Sequence, residues 1–396
     1  MKNIDQGDIP TSMIIRCIGE LELPQYCADF AEDDPVLRRA STGAEYWLAR
    51  GPQVCRQALS DDAVSRSAAA GAQSPALKAN PTISASSIMS IDGSRHTQLK
   101  RVLSVWLSKR NAAAWKPNVA KRVEESIDRL RGFGSGGSVD LVSNFTSVLP
   151  MIDLADLLGV PEDRMADILD CADVFFDLDS VPPEQAAARI ARLVDFTIEM
   201  LTVERKRLRP GMIVDLAANQ DLSRREVLEL ILALLTAGFH TVAGQLSIVL
   251  YAVLSSGVLA RAMLDPVAGE TVVRALTHAV PVTTVSFPRR VLGEAVLGST
   301  SLDHGDLVVA GLADAGACVL GDERRWHSEA LNGLGFGFGK HRCPGDGFAL
   351  DQLALATRAF VLAFPSARIA PGAESVRWTD GASTKSVATL LVDLTA

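Results

Sequence analysis

Ser223 opens a run in which apolar residues recur at helical spacing out to Leu254, a helix of roughly 30 residues. The mean helix of a globular protein is only about 11–12 residues long. This run is apolar on nearly every face, yet it contains Glu229, His240 and Gln245, which a lipid bilayer would penalise. The expectation is a helix buried along its length by protein, not a membrane span. Such a helix needs other elements packed around it, and a chain of 396 residues can supply them.

The surrounding sequence reads as mostly helical. A basic amphipathic helix is expected from Arg95 to Arg110 and a second from Pro117 to Arg131. Asp140 is placed to cap the next helix, which ends at Leu158-Gly159-Val160-Pro161, and Glu162 opens another. Pro182 to Pro210 reads as one long helix, and an apolar helix runs from Asp346 to Phe364. After Pro281 the texture changes to short β-like runs at Val282–Phe287, Ala295–Leu297, Leu307–Ala310 and Ala388–Val392. The fold class is therefore mainly α with small β-sheets, one large helical domain covering residues 1–396.

Composition excludes several function classes. With 48% hydrophobic and 22% charged residues the chain is neither disordered nor fibrous. A net charge of −8 gives no electrostatic case for nucleic acid or an anionic membrane. The six cysteines form no C-x-x-C pair and are too sparse for a disulfide framework, so reduced thiols in a cytoplasm are expected. Met1 to Pro10 carries Lys2, Asp5 and Asp8 without an apolar core, so neither a signal peptide nor a membrane anchor is expected.

Two glycine patterns resemble nucleotide loops and fail on context. Gly132, Gly134 and Gly137 follow a charged helix, not the strand a dinucleotide fingerprint requires. Gly335, Gly337, Gly339 and Lys340 lack the first glycine and the final Ser or Thr of a phosphate loop, where Leu334 and His341 stand instead.

The same segment, Phe336-Gly337-Phe338-Gly339-Lys340-His341-Arg342-Cys343-Pro344-Gly345, has another reading. Its glycines allow a tight fold and close approach to a flat ligand. Cys343 lies just before an apolar helix, where free N–H groups and the helix dipole stabilise a thiolate. A thiolate in such a loop is suited to be an axial iron ligand. The segment resembles the heme-binding loop of the cytochrome P-450 superfamily, F-G-x-G-x-H-x-C-x-G, at Phe336, Gly337, Gly339, His341, Cys343 and Gly345. The resemblance implies heme b, with Cys343 as its thiolate ligand, Phe336 covering the sulfur and His341 meeting a propionate. Gly345 completes the motif, and Pro344 has no N–H to give the sulfur.

Other regions resemble the same family in the same order. His96-Thr97-Gln98-Leu99-Lys100 resembles its H-x-x-x-R helix; His96 and Lys100 share a face and would grip a propionate, with Lys100 replacing the bidentate arginine. Asp140 to Pro161 resembles a helix pair of the bacterial members. Arg289, after Pro288, falls where the family places a propionate-binding arginine, and Gly305-Asp306 matches a later turn. Ala237-Gly238-Phe239-His240-Thr241 on the central helix resembles the oxygen-activation motif A-G-x-(acid)-T. Ala237 and Gly238 would let the helix bulge and make room for oxygen, and Thr241 would order a proton-bearing water. His240 replaces the acid; it would relay protons or face away and serve a structural or substrate-binding role.

The chain also departs from the family. Where E-x-x-R is usual stand Arg274-Ala275-Leu276-Thr277; Glu204 and Arg207 have that spacing but precede Thr241. Leu312-Ala313-Asp314-Ala315 replaces the usual Asn-Arg-Asp-Pro. Breaking half of a buried ion-pair network costs about 3–5 kcal/mol, whereas replacing all of it is often neutral, so a remodelled segment is expected between Leu312 and Gly335.

The resemblance implies a soluble bacterial-type monooxygenase that oxidises a small, largely apolar molecule, such as a natural-product intermediate. It would use O2 and electrons from a ferredoxin and ferredoxin reductase, with a basic patch of Lys100, Arg101, Lys109, Arg110, Lys340 and Arg342 steering the acidic partner. The alternatives are a peroxide-driven or coupling heme enzyme and a heme-free helper protein that activates a partner enzyme. By the same resemblance, Ala70–Ser90 and Phe175–Val181 would cover the substrate pocket. Val282, Thr283, Thr284, Val285, Ser286, Phe239 and Thr384 would touch the substrate, the hydroxyls giving a few polar contacts in an apolar cavity.

Overall fold

A computed structural model describes residues 9–24, 34–70, 77, 84–133, 137–164, 167, 182–325, 330–379 and 383–394. In chain order it forms α1 (Thr11–Gly19), β1 (Val36–Arg39), β2 (Glu45–Ala49), α2 (Pro52–Ser60), β3 (Val64–Ser65), α3 (Gly93–Leu107), α4 (Lys109–Arg131), β4 (Val139–Asp140) and α5 (Val148–Leu158). Then follow α6 (Pro183–Leu201), α7 (Met212–Ala218), α8 (Arg224–Ser255), α9 (Gly257–Ala262) and α10 (Pro266–Ala279). The last third holds β5 (Arg289–Val291), β6 (Ala295–Leu297), β7 (Thr300–Leu302), β8 (Leu307–Ala310), α11 (Leu312–Leu320), α12 (Asp346–Ala363), β9 (Arg368–Ile369), β10 (Val376–Trp378) and β11 (Val387–Asp393). The architecture is mainly helical with small sheets, as expected.

α8 is the axis of the molecule. It starts on a capping box: the Ser223 hydroxyl accepts the Glu226 N–H, and the Glu226 carboxylate accepts the Ser223 N–H at 2.9 Å. Every residue from Ala243 to Val253 is buried. The first half of α8 belongs to a core built with α3, α5, α6 and α7, the second half to a core built with α1, α4, α10, α12 and β11. Among the described residues it is the one helix long and apolar enough to cross a membrane, and half of its most apolar 18-residue window is buried in protein. Gln245 fastens the chain after α10 to α8: its amide donates to Val280 O at 3.2 Å and accepts the Val282 N–H at 2.9 Å.

The larger sheet has five strands in the order β1-β2-β8-β5-β3, with β2 and β8 parallel and Trp47 opposite Val308. A second sheet orders β10-β11-β4, with β9 also on β11, and β6 and β7 form a hairpin. A third core fills the space between the larger sheet, α2 and α11.

Several expectations differ, among them the run Val282–Phe287, which forms only isolated bridges at Thr283 and Val285 instead of a strand. α4 begins at Lys109, capped by Ser108, and runs through Pro117. Pro117 removes one N–H from the ladder, but Pro117 and Ala113 are both exposed, so water can satisfy the freed carbonyl. The expected helix from Pro182 to Pro210 stops at Leu201, and a single 3-10 turn follows at Glu204–Lys206. There Arg207 bonds Glu204 at 2.7 Å and Asp163 at 2.8 Å, so the displaced E-x-x-R spacing is a surface ion pair. Asp140 caps a π-type turn, Val142–Thr146, before α5: its Oδ1 accepts the Val142 N–H at 3.0 Å. The expected cover segments lie mainly outside the described residues: 175–181 wholly, and 71–76 and 78–83 of the 70–90 loop.

Asp153 on α5 is a buried acid, 7% exposed, whose Oδ2 accepts the Gln352 amide of α12. Its Oδ1 has no hydrogen-bond partner among the described residues. Burial pushes its pKa up to about 8, against the opposing Gln352 bond. An acid whose folded-state pKa is raised weakens the fold as pH climbs, because the unfolded carboxyl ionises near pH 4 while the folded one must hold its proton. Stability should therefore fall between about pH 4 and 8 by at most ~1.4 kcal/mol per pH unit from this group. Asp153→Asn should flatten that decline and melt higher than the native chain at pH 8. Thermal melts from pH 5 to 8 with parallel curves would refute this.

Candidate functional site

Glycine geometry shapes the cysteine loop. Gly337 and Gly339 have φ of +72° and +71°, in the left-handed region that disfavours side chains. A Cβ on Gly339 would stand 2.8 Å from Leu59 O, so only glycine lets the loop lie on the end of α2. The Cys343 N–H donates to Phe336 O at 2.9 Å and closes the loop, and α12 begins three residues after the cysteine.

The Cys343 thiol keeps open surface, yet protein surrounds it closely enough that burial is the largest influence on it and raises its pKa. Both facts hold if the sulfur faces an internal hollow. The Gly345 N–H, Lys100 and Arg342 oppose the rise, while Asp346 adds to it. A thiol so placed loses its proton outright when a metal ion coordinates the sulfur.

α8 also borders open space midway along its length. Ala237, Gly238, His240, Thr241 and Val242 retain partial exposure, although the helix is fully buried directly after them. The Thr241 hydroxyl donates to Ala237 O at 2.7 Å, one turn back on the same face. The expected bulge is not there: α8 is regular α-helix throughout, and this i−4 bond is compatible with an unbroken helix. Gly238 faces the Leu154 methyl groups of α5, 3.2 Å from where a Cβ would stand. Phe239 is buried in the core with α5, α6 and α7.

The polar end of the site is a buried charge cluster. His96 of α3 is 5% exposed, and its ring centroid lies 4.3 Å from that of His341. Burial lowers the His96 pKa to about 4, with help from the His341 and Lys100 charges. His341 Nε2 bonds Asp92 Oδ1 at 2.8 Å, and Asp92 Oδ2 accepts the Ser65 hydroxyl at 2.8 Å and the Ser67 N–H at 2.9 Å. Burial alone would raise the Asp92 pKa, but the bonds from Ser67, His341 and Ser65 hold it well below the usual carboxylate range.

Arg289 of β5 is 6% exposed, and burial lowers its pKa to about 10. Among the described residues no hydrogen bond reaches its guanidinium; Asp92 alone favours its charge. Arg66 beside it is satisfied by Met89 O at 3.1 Å, with Pro288 O and the Ser90 hydroxyl at 3.4 Å, and stacks over Phe287. Two guanidiniums and two imidazoles thus face one carboxylate, and an orphaned buried cation calls for an anion. A heme, with two carboxylates and an iron that binds thiolate, fits this donor set.

Lys100 is used differently from the expectation. Its ammonium donates to Lys340 O at 2.6 Å and Arg342 O at 2.9 Å, carbonyls flanking His341 in the cysteine loop. A compact ammonium with three donors suits two converging carbonyls better than a guanidinium fork would.

The proposed substrate segments do meet. Thr283 bridges Thr384, Val285 bridges Gly311, and the Thr284 N–H donates to Ser383 O at 3.0 Å. Thr284 and Thr384 are 6% and 7% exposed, and Val282 is wedged against Gly244 of α8. The Ser286 hydroxyl is consumed by the backbone, donating to Phe287 O at 3.1 Å and accepting the Ala310 N–H at 2.9 Å. At the lost E-x-x-R, the buried Thr277 hydroxyl turns back to Val273 O at 2.8 Å. Two site residues escaped the sequence reading. Asp92 carried a signal, a carboxylate at the start of the helix bearing His96; Arg66 carried none.

No protein-family model matches the chain. It is 27% identical over 373 residues to a mycinamicin IV hydroxylase/epoxidase of Micromonospora griseorubida, covering 89% of this chain and 91% of that one. It is 28% identical over 308 residues to the 6-deoxyerythronolide B hydroxylase of Saccharopolyspora erythraea, covering 74% of each. Among solved structures, HinD with NMFT and NO superimposes with a TM-score of 0.82 at 26% identity over 98% of both chains. A cytochrome P-450 with biaryl coupling reactivity does so with 0.82 at 22% identity, over 91% of this chain and 93% of that one, a likeness of fold alone. Fold, cysteine loop and relatives agree, and the chain belongs to the cytochrome P-450 superfamily of heme-thiolate oxidoreductases.

Proposed function

We propose that the chain is a cytoplasmic tailoring monooxygenase that holds heme b on Cys343. It hydroxylates, epoxidises or couples a small, largely apolar natural-product intermediate, using O2 and electrons from a ferredoxin and its reductase. The relatives named for mycinamicin IV and 6-deoxyerythronolide B support the substrate class. One observation carries the reading: His341, two residues from Cys343, joins the cysteine loop to a buried cation cluster that contains the unsatisfied Arg289.

When bound, the heme supplies iron-centred activation of oxygen. Cys343 gives up its proton to ligate, and the Gly345 N–H with the Lys100 charge holds the resulting anion. Arg289 would take the charge of the propionates, neutral His96 would offer them a hydrogen bond, and Asp92 keeps His341 oriented. Thr241, held by its bond to Ala237 O, presents its oxygen as an acceptor toward the reacting face. Thr283, Thr384 and Val285 would orient the substrate, whereas Phe239, expected to touch it, is spent on the core with α5, α6 and α7.

Half of the expected basic patch is already engaged. Lys340 pairs with Asp62, Arg342 with Asp346 at 2.8 Å, and Lys100 holds the loop. Ferredoxin steering therefore falls to the exposed Arg101, Lys109 and Arg110. Reversing charge at Arg101 and Arg110 to Glu should raise the KM for ferredoxin several-fold and flatten its salt dependence, leaving peroxide-supported turnover unchanged. Equal KM values would sink that docking surface.

The reduced, carbon-monoxide-bound difference spectrum tests the whole proposal. The native protein should show a strongly red-shifted Soret band and Cys343→Ala should lose it; native protein that folds without heme would refute the reading. Arg289→Ala should weaken heme retention about tenfold or more, since a bond to a charged group is worth roughly 1.5–3 kcal/mol. His240 in place of the acid favours a second reading, a peroxide-driven or coupling enzyme. Product formed with peroxide but not with ferredoxin and O2 would select it.

A further inference from the structure

We propose that His278 is a positioning residue that holds the cysteine loop on α10, in the role left open by the absent E-x-x-R pair. The proposal rests on the heme-thiolate reading above.

The two positions of that motif make no link to the loop. Thr277 is buried and bonds its own helix, and Arg274 has no ion pair among the described residues. His278 comes one residue later, 4% exposed, in the last turn of α10. Its Nδ1 accepts the Gly335 N–H at 3.2 Å, which among the described residues is the α10 side-chain hydrogen bond to the loop. Its ring meets Phe336 edge-on, with centroids 5.7 Å apart at 86°. The Phe336 carbonyl in turn accepts the Cys343 N–H at 2.9 Å. Two loop residues and one hydrogen bond therefore connect the imidazole to the cysteine.

The backbone approach at this point is close. A Cβ on Gly335 would lie 2.1 Å from Thr277 O, and one on Gly316 of α11 would lie 2.3 Å from Ala279 O. Glycines from two segments let the loop entry and α11 close on the end of α10. The Gly335 N–H, part-buried at this contact, takes its acceptor from the imidazole.

Only neutral imidazole with its proton on Nε2 offers that acceptor. Burial lowers the His278 pKa to about 4; the Arg274 and Arg342 charges lower it further, and Asp346 opposes them. The bond is therefore present at neutral pH. An aromatic ring of similar size would keep the packing but lose the acceptor, whereas asparagine would restore an acceptor oxygen near the Nδ1 position.

Hydrogen exchange and the carbon-monoxide spectrum of full-length His278→Phe and His278→Asn decide the matter. In the Phe variant the Gly335 and Cys343 amides should exchange about tenfold faster than in the native chain. Part of its Soret absorption should move from the thiolate to the neutral-thiol position. The Asn variant should restore both. Native exchange and a native spectrum in a folded Phe variant would make His278 ordinary core and overturn the proposal. Should the Phe variant not fold, the Asn variant decides: native behaviour supports the role, and loss of both signals refutes it. Exchange is read on heme-free protein as well, so a native chain without heme would sink the functional reading while leaving the test of His278 intact.

Discussion

The arrangement at the polar end of the site depends on buried charge that this protein does not balance by itself. Arg66, Arg289, His96 and His341 converge on Asp92 alone. Like charges at close range in a low-dielectric interior repel strongly. Part of the answer is to discharge them: burial lowers the pKa of both imidazoles, so the cluster is carried mainly by guanidiniums at neutral pH. Arg66 spreads its charge over carbonyls, a hydroxyl and the Phe287 ring. Arg289 has no such outlet, and so it is the group through which an anionic ligand gains most.

The cysteine loop is held from several elements at once. α2 supports Gly339, α3 reaches two carbonyls through Lys100, α10 meets Gly335 and Phe336, and α12 starts just past the sulfur. The holds on Gly339, Gly335 and the carbonyls of Lys340 and Arg342 act on backbone atoms, whereas Phe336 and His341 are held through their rings. That makes the loop intolerant of change at its glycines. The segment lacking the Asn-Arg-Asp-Pro stretch still supplies an ordered helix, α11, whose Gly316 packs on α10.

Much of this was readable in advance where a local rule and the tertiary environment agree. Ser223 and Glu226 announce the start of α8, and the apolar run carries it to its end. β6, β8 and α12 fall within a residue of their patterns. Pro117 misled because its cost depends on whether water reaches the freed carbonyl, which sequence does not report. Thr202 ends α6 although the periodic pattern continues, because the chain turns into the ion pairs of Glu204 and Arg207. At the site, residue types were legible and directions were not. Lys100 shares a helix face with His96 yet reaches loop carbonyls, and Ser286 is polar yet spent on the sheet. His278 gave no warning, because one histidine on an apolar face looks the same whether or not its acceptor has a task.

The pairing of β2 with β8 has a consequence for synthesis. Trp47 and Val308 are neighbours in the sheet but about 260 residues apart in the chain. At the roughly 5–20 residues per second of ribosomal elongation, the β1–β2 hairpin waits on the order of ten to fifty seconds for its partner. During that time its inner edge is an unpaired row of backbone groups, open to a second nascent chain. The hairpin is short, and it carries Arg38, Arg39 and Glu45, with the last two in an ion pair at 2.6 Å. Arg38 and Arg39 lie on the outer strand and only Glu45 on β2, so the waiting edge is limited chiefly by its length of five residues, Glu45 to Ala49.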